Sequence, residues 1–178
     1  MSTALSEQLD GFIRFCVPYA LIFVFFTLNM VSFSAPLSTK IEAPLIVMVV
    51  YYWSVYRPTL IPPVLVFFIG IYFDLLASMP LGLSAFILLV LRQAITEQRV
   101  FLIGQPFVMI WLGFTVTMVI SLMIQWCLFG FINLHWTPFT PVILMMVSGA
   151  LIFPMVFLVL NLSHKVLPTL RDQYSAVK

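Results

Sequence analysis

Asp74 is the only acidic residue in the apolar stretch of residues 43–91, and its carboxylate is the first candidate for chemistry in this chain. A charged side chain at membrane depth costs about 2.5–3.5 kcal/mol on insertion scales, so it requires a partner in the protein or water. Three uses fit such a group: a hydrogen-bond acceptor that closes a helix hairpin, a proton or ion relay, and a ligand contact. A lone Asp without a second acid or a histidine on a facing helix is a weak relay.

The residues that follow Asp74 favour the hairpin. The helix that carries Asp74 is expected to end about one turn later, and Pro80 suits the first turn of the next helix. The free amides of Leu81, Gly82 and Leu83 would then point back towards the carboxylate, at the positive end of the helix dipole. We therefore expect Asp74 to accept hydrogen bonds from the start of that helix.

Three further features have a structural interpretation and a functional one. Gly70 lies on the same helix face as Asp74, and its missing side chain permits the close approach of another helix. Arg57 and Pro58 form a turn in which the arginine reaches lipid phosphates or contacts a partner, and the sequence favours lipid. The polar patch Arg92–Arg99 is predicted to be a solvated loop, with an ion pair worth less than about 1 kcal/mol.

Patterns of catalysis and metal binding are absent from the sequence. It contains no HExxH, GxSxG, P-loop or CxxC motif. His135 and His164 fall in segments that we predict on opposite membrane faces, so they are not expected to ligate one metal. Cys16 and Cys127 lie in apolar segments and are interpreted as small packing residues. We expect neither an enzyme nor a protein with a cofactor or a metal.

The composition is that of an integral membrane protein. Of its 178 residues, 63% are hydrophobic and only 8% are charged, whereas soluble domains carry about 25% charged residues. The net charge of +2 is too small to indicate nucleic acid. The predicted organisation is a short N-terminus at 1–14, a transmembrane domain at 15–162 and a short tail at 163–178.

Six apolar segments predict six transmembrane helices in an all-α polytopic fold. The second and fourth segments are short, about 21 Å each as helices, so they are either re-entrant or core helices shielded by longer neighbours. The segments are 15–33, 43–56, 60–77, 81–94, 107–131 and 141–162, separated by breaks at 34–42, 57–58, 78–80, 97–105 and 133–140.

Charge placement favours six crossings with both termini in the cytoplasm. With that topology seven basic residues face the cytoplasm and one faces outwards, which is a strong positive-inside bias. The cytoplasmic set is Arg14, Arg57, Arg92, Arg99, Lys165, Arg171 and Lys178, and the external residue is Lys40. Two aromatic clusters are expected at the membrane interfaces: Tyr51, Tyr52, Trp53 and Tyr56 on the inside, and His135 with Trp136 on the outside.

The motifs between residues 44 and 92 together resemble the MreD family, the small membrane subunit of the bacterial rod-shape machinery. The matching order is a YWxxYRP run at residues 52–58, a GxxxDLL run at residues 70–76 and a PLG run at residues 80–82. The length of the chain and the small extramembrane mass are also similar to MreD proteins. The long fifth segment lacks obvious family markers.

The resemblance implies a non-catalytic scaffold in the bacterial inner membrane. Such a protein would bind MreC and lie beside MreB, a RodA-type glycosyltransferase and a class B transpeptidase, among membrane lipids and without nucleic acid. It also implies a fold similar to the S-components of energy-coupling-factor transporters. The family residues carry over as Trp53, Arg57, Pro58, Gly70, Asp74, Pro80 and Gly82.

Two other functions stay open at this point. An S-component-like binding or transport subunit would need a polar pocket that opens outwards. Its candidate residues are Asn29, Ser32, Ser34, Ser84, Thr115, Thr117, Ser121 and Gln125. An enzyme acting on lipid would need a nucleophile with a base, and the sequence supplies no such pair.

Overall fold

A computed structural model describes residues 19–29, 33–34, 40–41, 44–77, 79–134 and 136–166, and the side chains of all of these except 33–34, 40–41 and 163–166. The predicted N-terminus at 1–14, the tail beyond residue 166 and His135 lie outside the described residues, as does Ser78 in the predicted break at 78–80.

The described residues form six helices and one very short strand pair, so the expected all-α class is confirmed. The helices are α1 (Tyr19–Asn29), α2 (Leu45–Tyr56), α3 (Pro63–Leu76), α4 (Leu83–Leu102), α5 (Phe107–Asn133) and α6 (Thr140–Val166). Between α1 and α2, β1 (Phe33–Ser34) and β2 (Lys40–Ile41) pair in antiparallel register, with Phe33 opposite Ile41.

The short helix α2 is the centre of the bundle. Ten of its 12 residues are buried, with Val47 and Tyr56 half-buried. A helix that is hydrophobic on all sides must be covered on all sides, and α2 packs against α4, α5 and α6. Of the two roles left open for this segment, the structure shows the shielded core helix.

Three of the four aromatic residues of α2 are buried in this core and Tyr56 is half-buried, so their prediction as an interface belt was wrong. Tyr51 and Trp53 are at most 1% exposed. The hydroxyl of Tyr51 donates to the carbonyl of Ile110 on α5 at 3.0 Å, and its ring packs edge-on against Phe114 and Phe153. The hydroxyl of Tyr51 thus finds a backbone acceptor within the protein, where the prediction had placed lipid headgroups.

The fourth helix is longer than the sequence indicated. The apolar segment was predicted to end at residue 94, whereas α4 continues to Leu102 and the break covers only residues 103–106. Arg, Gln and Glu are good helix formers, so the polar patch extends the helix. Within this helix, the side-chain amide of Gln93 donates to the carboxylate of Glu97, one turn later, at 2.9 Å. The solvated loop that we predicted here is therefore helical.

Smaller differences of boundary have local causes. Helix α3 begins at Pro63 and not at residue 60, because Pro62 and Pro63 lack amide donors and suit a helix start. At the other ends, α5 continues to Asn133 and the backbone of α6 to Val166, past the predicted ends at 131 and 162.

Two of the described helices are long and apolar enough to cross a membrane. These are Phe107–Asn133, with 27 residues and a mean hydropathy of 2.3, and Thr140–Leu162, with 23 residues and 2.6. They pack against each other, yet only 28% and 17% of their most apolar stretches are buried inside the protein. Their exposed apolar side chains suit contact with lipid.

Pro154 interrupts the hydrogen-bond ladder of α6, and a side chain of α5 compensates. Proline has no amide hydrogen, so the carbonyl one turn earlier, that of Ala150, loses its helical donor. The indole nitrogen of Trp111 donates to this carbonyl at 2.9 Å. Freed backbone groups in apolar surroundings need such a replacement, so Trp111 fixes the register of α5 on α6.

Candidate functional site

Asp74 is fully buried and caps the start of α4. Its Oδ2 accepts a hydrogen bond from the amide of Gly82 at 2.8 Å, and the amide of Ser84 lies 3.1 Å from Oδ1 and 3.2 Å from Oδ2. The expected cap is therefore present, and Gly82 is one of its predicted donors. The second donor is the amide of Ser84, where we had predicted Leu81 and Leu83. The amide of Leu83 donates instead to the carbonyl of Pro80 at 3.2 Å.

Gly82 gives the cap its shape. Its φ of +92° lies in the left-handed region, where a side chain is strained. This conformation turns the amides of Gly82 and Ser84 towards the same carboxylate. The amide of Met79 closes the preceding turn on the carbonyl of Asp74 at 3.0 Å. Among the described residues of the short connection between α3 and α4, these hydrogen bonds gather around Asp74.

Gly70 brings the same two helices into backbone contact. A Cβ placed on Gly70 would lie 2.6 Å from the backbone nitrogen of Ala85, closer than real side chains approach. The predicted close approach of another helix is confirmed, and that helix is α4. Asp74 and Gly70 thus hold the α3–α4 hairpin, one through hydrogen bonds and the other through the absence of a side chain.

Arg92 fastens the other end of this hairpin. The side chain is only 8% exposed. Its Nε donates to the carbonyl of Ile61 at 2.7 Å and its Nη2 to that of Pro58 at 3.2 Å. Both acceptors lie in the turn between α2 and α3, so Arg92 ties α4 to that turn. The interpretation of Arg92 as part of a solvated loop was wrong.

The seven family residues form two separate groups in the fold. Gly70, Asp74, Pro80 and Gly82 lie along α3 and at the α3–α4 connection. Trp53, Arg57 and Pro58 lie at the end of α2 and in the following turn, where the amide of Arg57 donates to the carbonyl of Trp53 at 2.8 Å and Pro58 accepts from Arg92. The side chain of Arg57 is half-buried. The two groups lie at opposite ends of the hairpin and share no site.

A cavity of about 520 Å³ lies beside the Asp74 end of the hairpin. All six helices or their ends contribute to its wall, and the described lining residues carry no charge. Most of the wall is apolar, including the rings of Phe73, Trp126 and Phe129. Its polar residues are Asn29, Ser84, Ser121, Gln125 and Thr137.

Four of the residues predicted for a polar pocket line this cavity, namely Asn29, Ser84, Ser121 and Gln125. Thr115 and Thr117 do not line it, because the part of α5 that borders the cavity begins at Ser121. Their hydroxyls donate to carbonyls one turn earlier in α5, at 2.9 and 2.6 Å. Serine and threonine commonly satisfy themselves in this way within apolar helices. The side chains of Ser32 and Ser34 lie outside the described residues.

The described residues show a capped hairpin beside a cavity at this site. Among the residues with described positions, no three His, Cys, Asp or Glu side chains gather as metal ligands. The Asp74 carboxylate is already engaged by two amides. Comparison of the chain with family models, curated proteins and solved structures gives no significant match. The resemblance to MreD proteins rests on the motif residues, the chain length and the small extramembrane mass.

Proposed function

We propose that this protein is a non-catalytic scaffold of the MreD type in the bacterial inner membrane, which binds MreC and supports the rod shape of the cell. The observation that carries the proposal is the placement of the seven motif residues. All of them lie in the unit from α2 to α4, where Asp74, Gly70 and the Arg92 contact to Pro58 fix one hairpin. A rigid hairpin suits a protein whose task is to present a constant surface to partners.

The outer face of α3 is the surface that we assign to the partner. Phe68 is 63% exposed and Leu75 is 59% exposed, whereas Gly70 is used inside the bundle against Ala85. Helices associate in lipid through close packing of such faces. A Gly70→Leu variant would therefore damage the bundle, and the partner contact is better tested from the exposed positions.

Site-specific photocrosslinking in native membranes tests the scaffold. A photoreactive residue at Phe68 or Leu75 should crosslink to MreC, and affinity purification from the same cells should retain MreC, RodA and the class B transpeptidase. Met155 on α6 is 71% exposed and serves as the matched control. Retention of none of these proteins would refute the proposal, and crosslinks from Met155 only would move the contact to α6.

The topology belongs to the same proposal. We propose six crossings with both termini in the cytoplasm, since Arg57, Arg92 and Arg99 gather at the end of the hairpin away from Asp74. Basic residues concentrate on the cytoplasmic side. The Asp74 end and the cavity would then face outwards.

The cavity favours a second candidate function, a small-molecule-binding subunit similar to an S-component. Its position among helix ends and its polar residues Ser84 and Gln125 are the supporting observations. Loss of such a protein would reduce uptake of a nutrient and leave cell shape unchanged, so the phenotype of depletion separates the two candidates.

A further inference from the structure

We propose that the cavity is a binding site for one uncharged small molecule with a planar apolar body and a hydrogen-bond acceptor. This ligand site would exist whether the protein is a scaffold or a transport subunit, because it depends only on the geometry of the wall. Its volume of about 520 Å³ falls in the range of sites that enclose a small ligand.

Ser84 supplies the first recognition group. The residue is 6% exposed, and its hydroxyl has no hydrogen-bond partner among the described residues. Buried hydroxyls are nearly always paired. Ser84 lines the cavity, but its hydroxyl oxygen is covered by protein in this rotamer, so a rotation about χ1 is needed to turn the hydroxyl into the cavity. Because its own amide is held by Asp74 at 3.1 Å, the position of Ser84 is fixed by the cap. An acceptor atom of a ligand would complete it.

Helix α5 presents a second polar group across the cavity. Gln125 and Ser121 both line it and lie one turn apart on the same helix face. The hydroxyl of Ser121 donates to the carbonyl of Thr117 at 2.7 Å, so it offers a ligand its acceptor capacity. The amide of Gln125 offers both a donor and an acceptor. Polar groups from α4 and α5 thus border one apolar space.

The apolar part of the wall favours a flat body. Phe73, Trp126 and Phe129 contribute rings, and the indole of Trp126 donates to the carbonyl of Thr137 at 3.2 Å. The ring of Trp136 packs on Trp126 with a centroid distance of 4.9 Å. Trp126 is therefore held in place before a ligand enters, and aromatic faces pack well against planar molecules.

The polar content of the wall selects an uncharged ligand over a lipid tail or an ion. The described lining residues carry no charge to pair with an ion. An acyl chain would fill the volume and leave the hydroxyl of Ser84 without a partner, which is unfavourable. A neutral molecule with an acceptor at one edge would pack against the apolar wall and accept a hydrogen bond from its polar residues.

The test uses the complete protein in lipid nanodiscs and the uncharged naphthalene ketone prodan, whose carbonyl accepts hydrogen bonds. Saturable binding of one equivalent is expected above the linear partition into lipid. Ala77 lines the cavity, so Ala77→Phe should reduce binding at least tenfold. Ala94→Phe, an exposed position on α4, is the matched control and should bind as the native protein does.

Two milder variants test the polar groups, and melting curves confirm that each variant is folded. Ser84→Ala and Gln125→Leu should each weaken prodan binding about 3- to 10-fold, the effect of one lost hydrogen bond. Absence of a saturable component, or equal binding by Ala77→Phe, would overturn the site. Unchanged binding by both milder variants would show an apolar slot for lipid tails, and equal affinity for the anion anilinonaphthalene sulfonate would contradict the uncharged class.

Discussion

At the scale of residues, two buried charged side chains are satisfied by backbone groups. Asp74 accepts from amides at the start of α4, and Arg92 donates to carbonyls in the α2–α3 turn. The partners of Asp74 are eight and ten positions away, so local spacing was enough to predict the cap. Those of Arg92 are 31 and 34 positions away. Only the packing of helices determines such partners, which is why we predicted from the sequence that Arg92 lies in a solvated loop.

Substitution of Asp74 tests the cap. Asp74→Asn should keep much of the stability because its amide oxygen still accepts a hydrogen bond. Asp74→Leu should lose about 1–3 kcal/mol for each amide left without a partner. Thermal melting in detergent measures both variants. A Leu variant as stable as the native protein would disprove the cap. An Asn variant that has native stability but no longer supports the function of the protein in the cell would indicate proton or ion chemistry.

Substitution of Arg92 tests the hydrogen bonds that tie α4 to the α2–α3 turn. Arg92→Leu removes both donors to Ile61 and Pro58 and should destabilise the protein by about 2–4 kcal/mol, because two carbonyls lose their partner. Arg99→Leu, on the same helix, provides the control, and we expect it to change the melting temperature little. If the two variants have the same melting temperature, the Arg92 contacts contribute nothing to stability.

At the scale of elements, hydropathy located the helices and misplaced the features that depend on neighbours. The apolar segments gave the bounds of α5 and α6 to within a few residues. The end of α4 was missed because charged residues end a hydropathy signal without ending a helix. The burial of Tyr51 and Trp53 was missed because a central helix and an interface helix have similar compositions.

The Trp111 contact to α6 gives a prediction for a pair of helices. Trp111→Phe should destabilise the protein by about 1–3 kcal/mol, since the carbonyl of Ala150 loses its donor. Pro154→Ala restores an amide one turn after Ala150, so Trp111→Phe should cost less in that background. A double-mutant cycle of melting measurements gives the coupling. Additive effects would show that the indole does not replace the missing amide.

At the scale of the whole molecule, the buried helix α2 packs against the longer helices α4, α5 and α6. The Asp74 cap and the Arg92 contacts hold the two ends of the α3–α4 hairpin.

Reporter fusions test the proposed orientation of this bundle. Fusions after Thr59, after Gly104 and at Lys178 should all report the cytoplasm, because the first two positions lie in exposed turns at the arginine end. An external signal at Lys178 would contradict six crossings.

The cavity was only partly predictable from sequence. Its candidate polar residues were found because hydroxyls and amides are conspicuous in apolar segments. Thr115 and Thr117 could not be excluded from them, since composition does not show which part of α5 borders the cavity. Which of these groups share one space depends on where the helix ends meet.

Depletion of the protein in its native rod-shaped cell tests the scaffold role most directly. Cell shape, circular motion of the elongation machinery and nutrient uptake are measured in the same culture, with a plasmid copy of the native gene as control. The scaffold role predicts rounded cells and arrested motion, both reversed by the plasmid. Cells that remain rods while the uptake of a nutrient falls would contradict the scaffold and favour the S-component-like subunit.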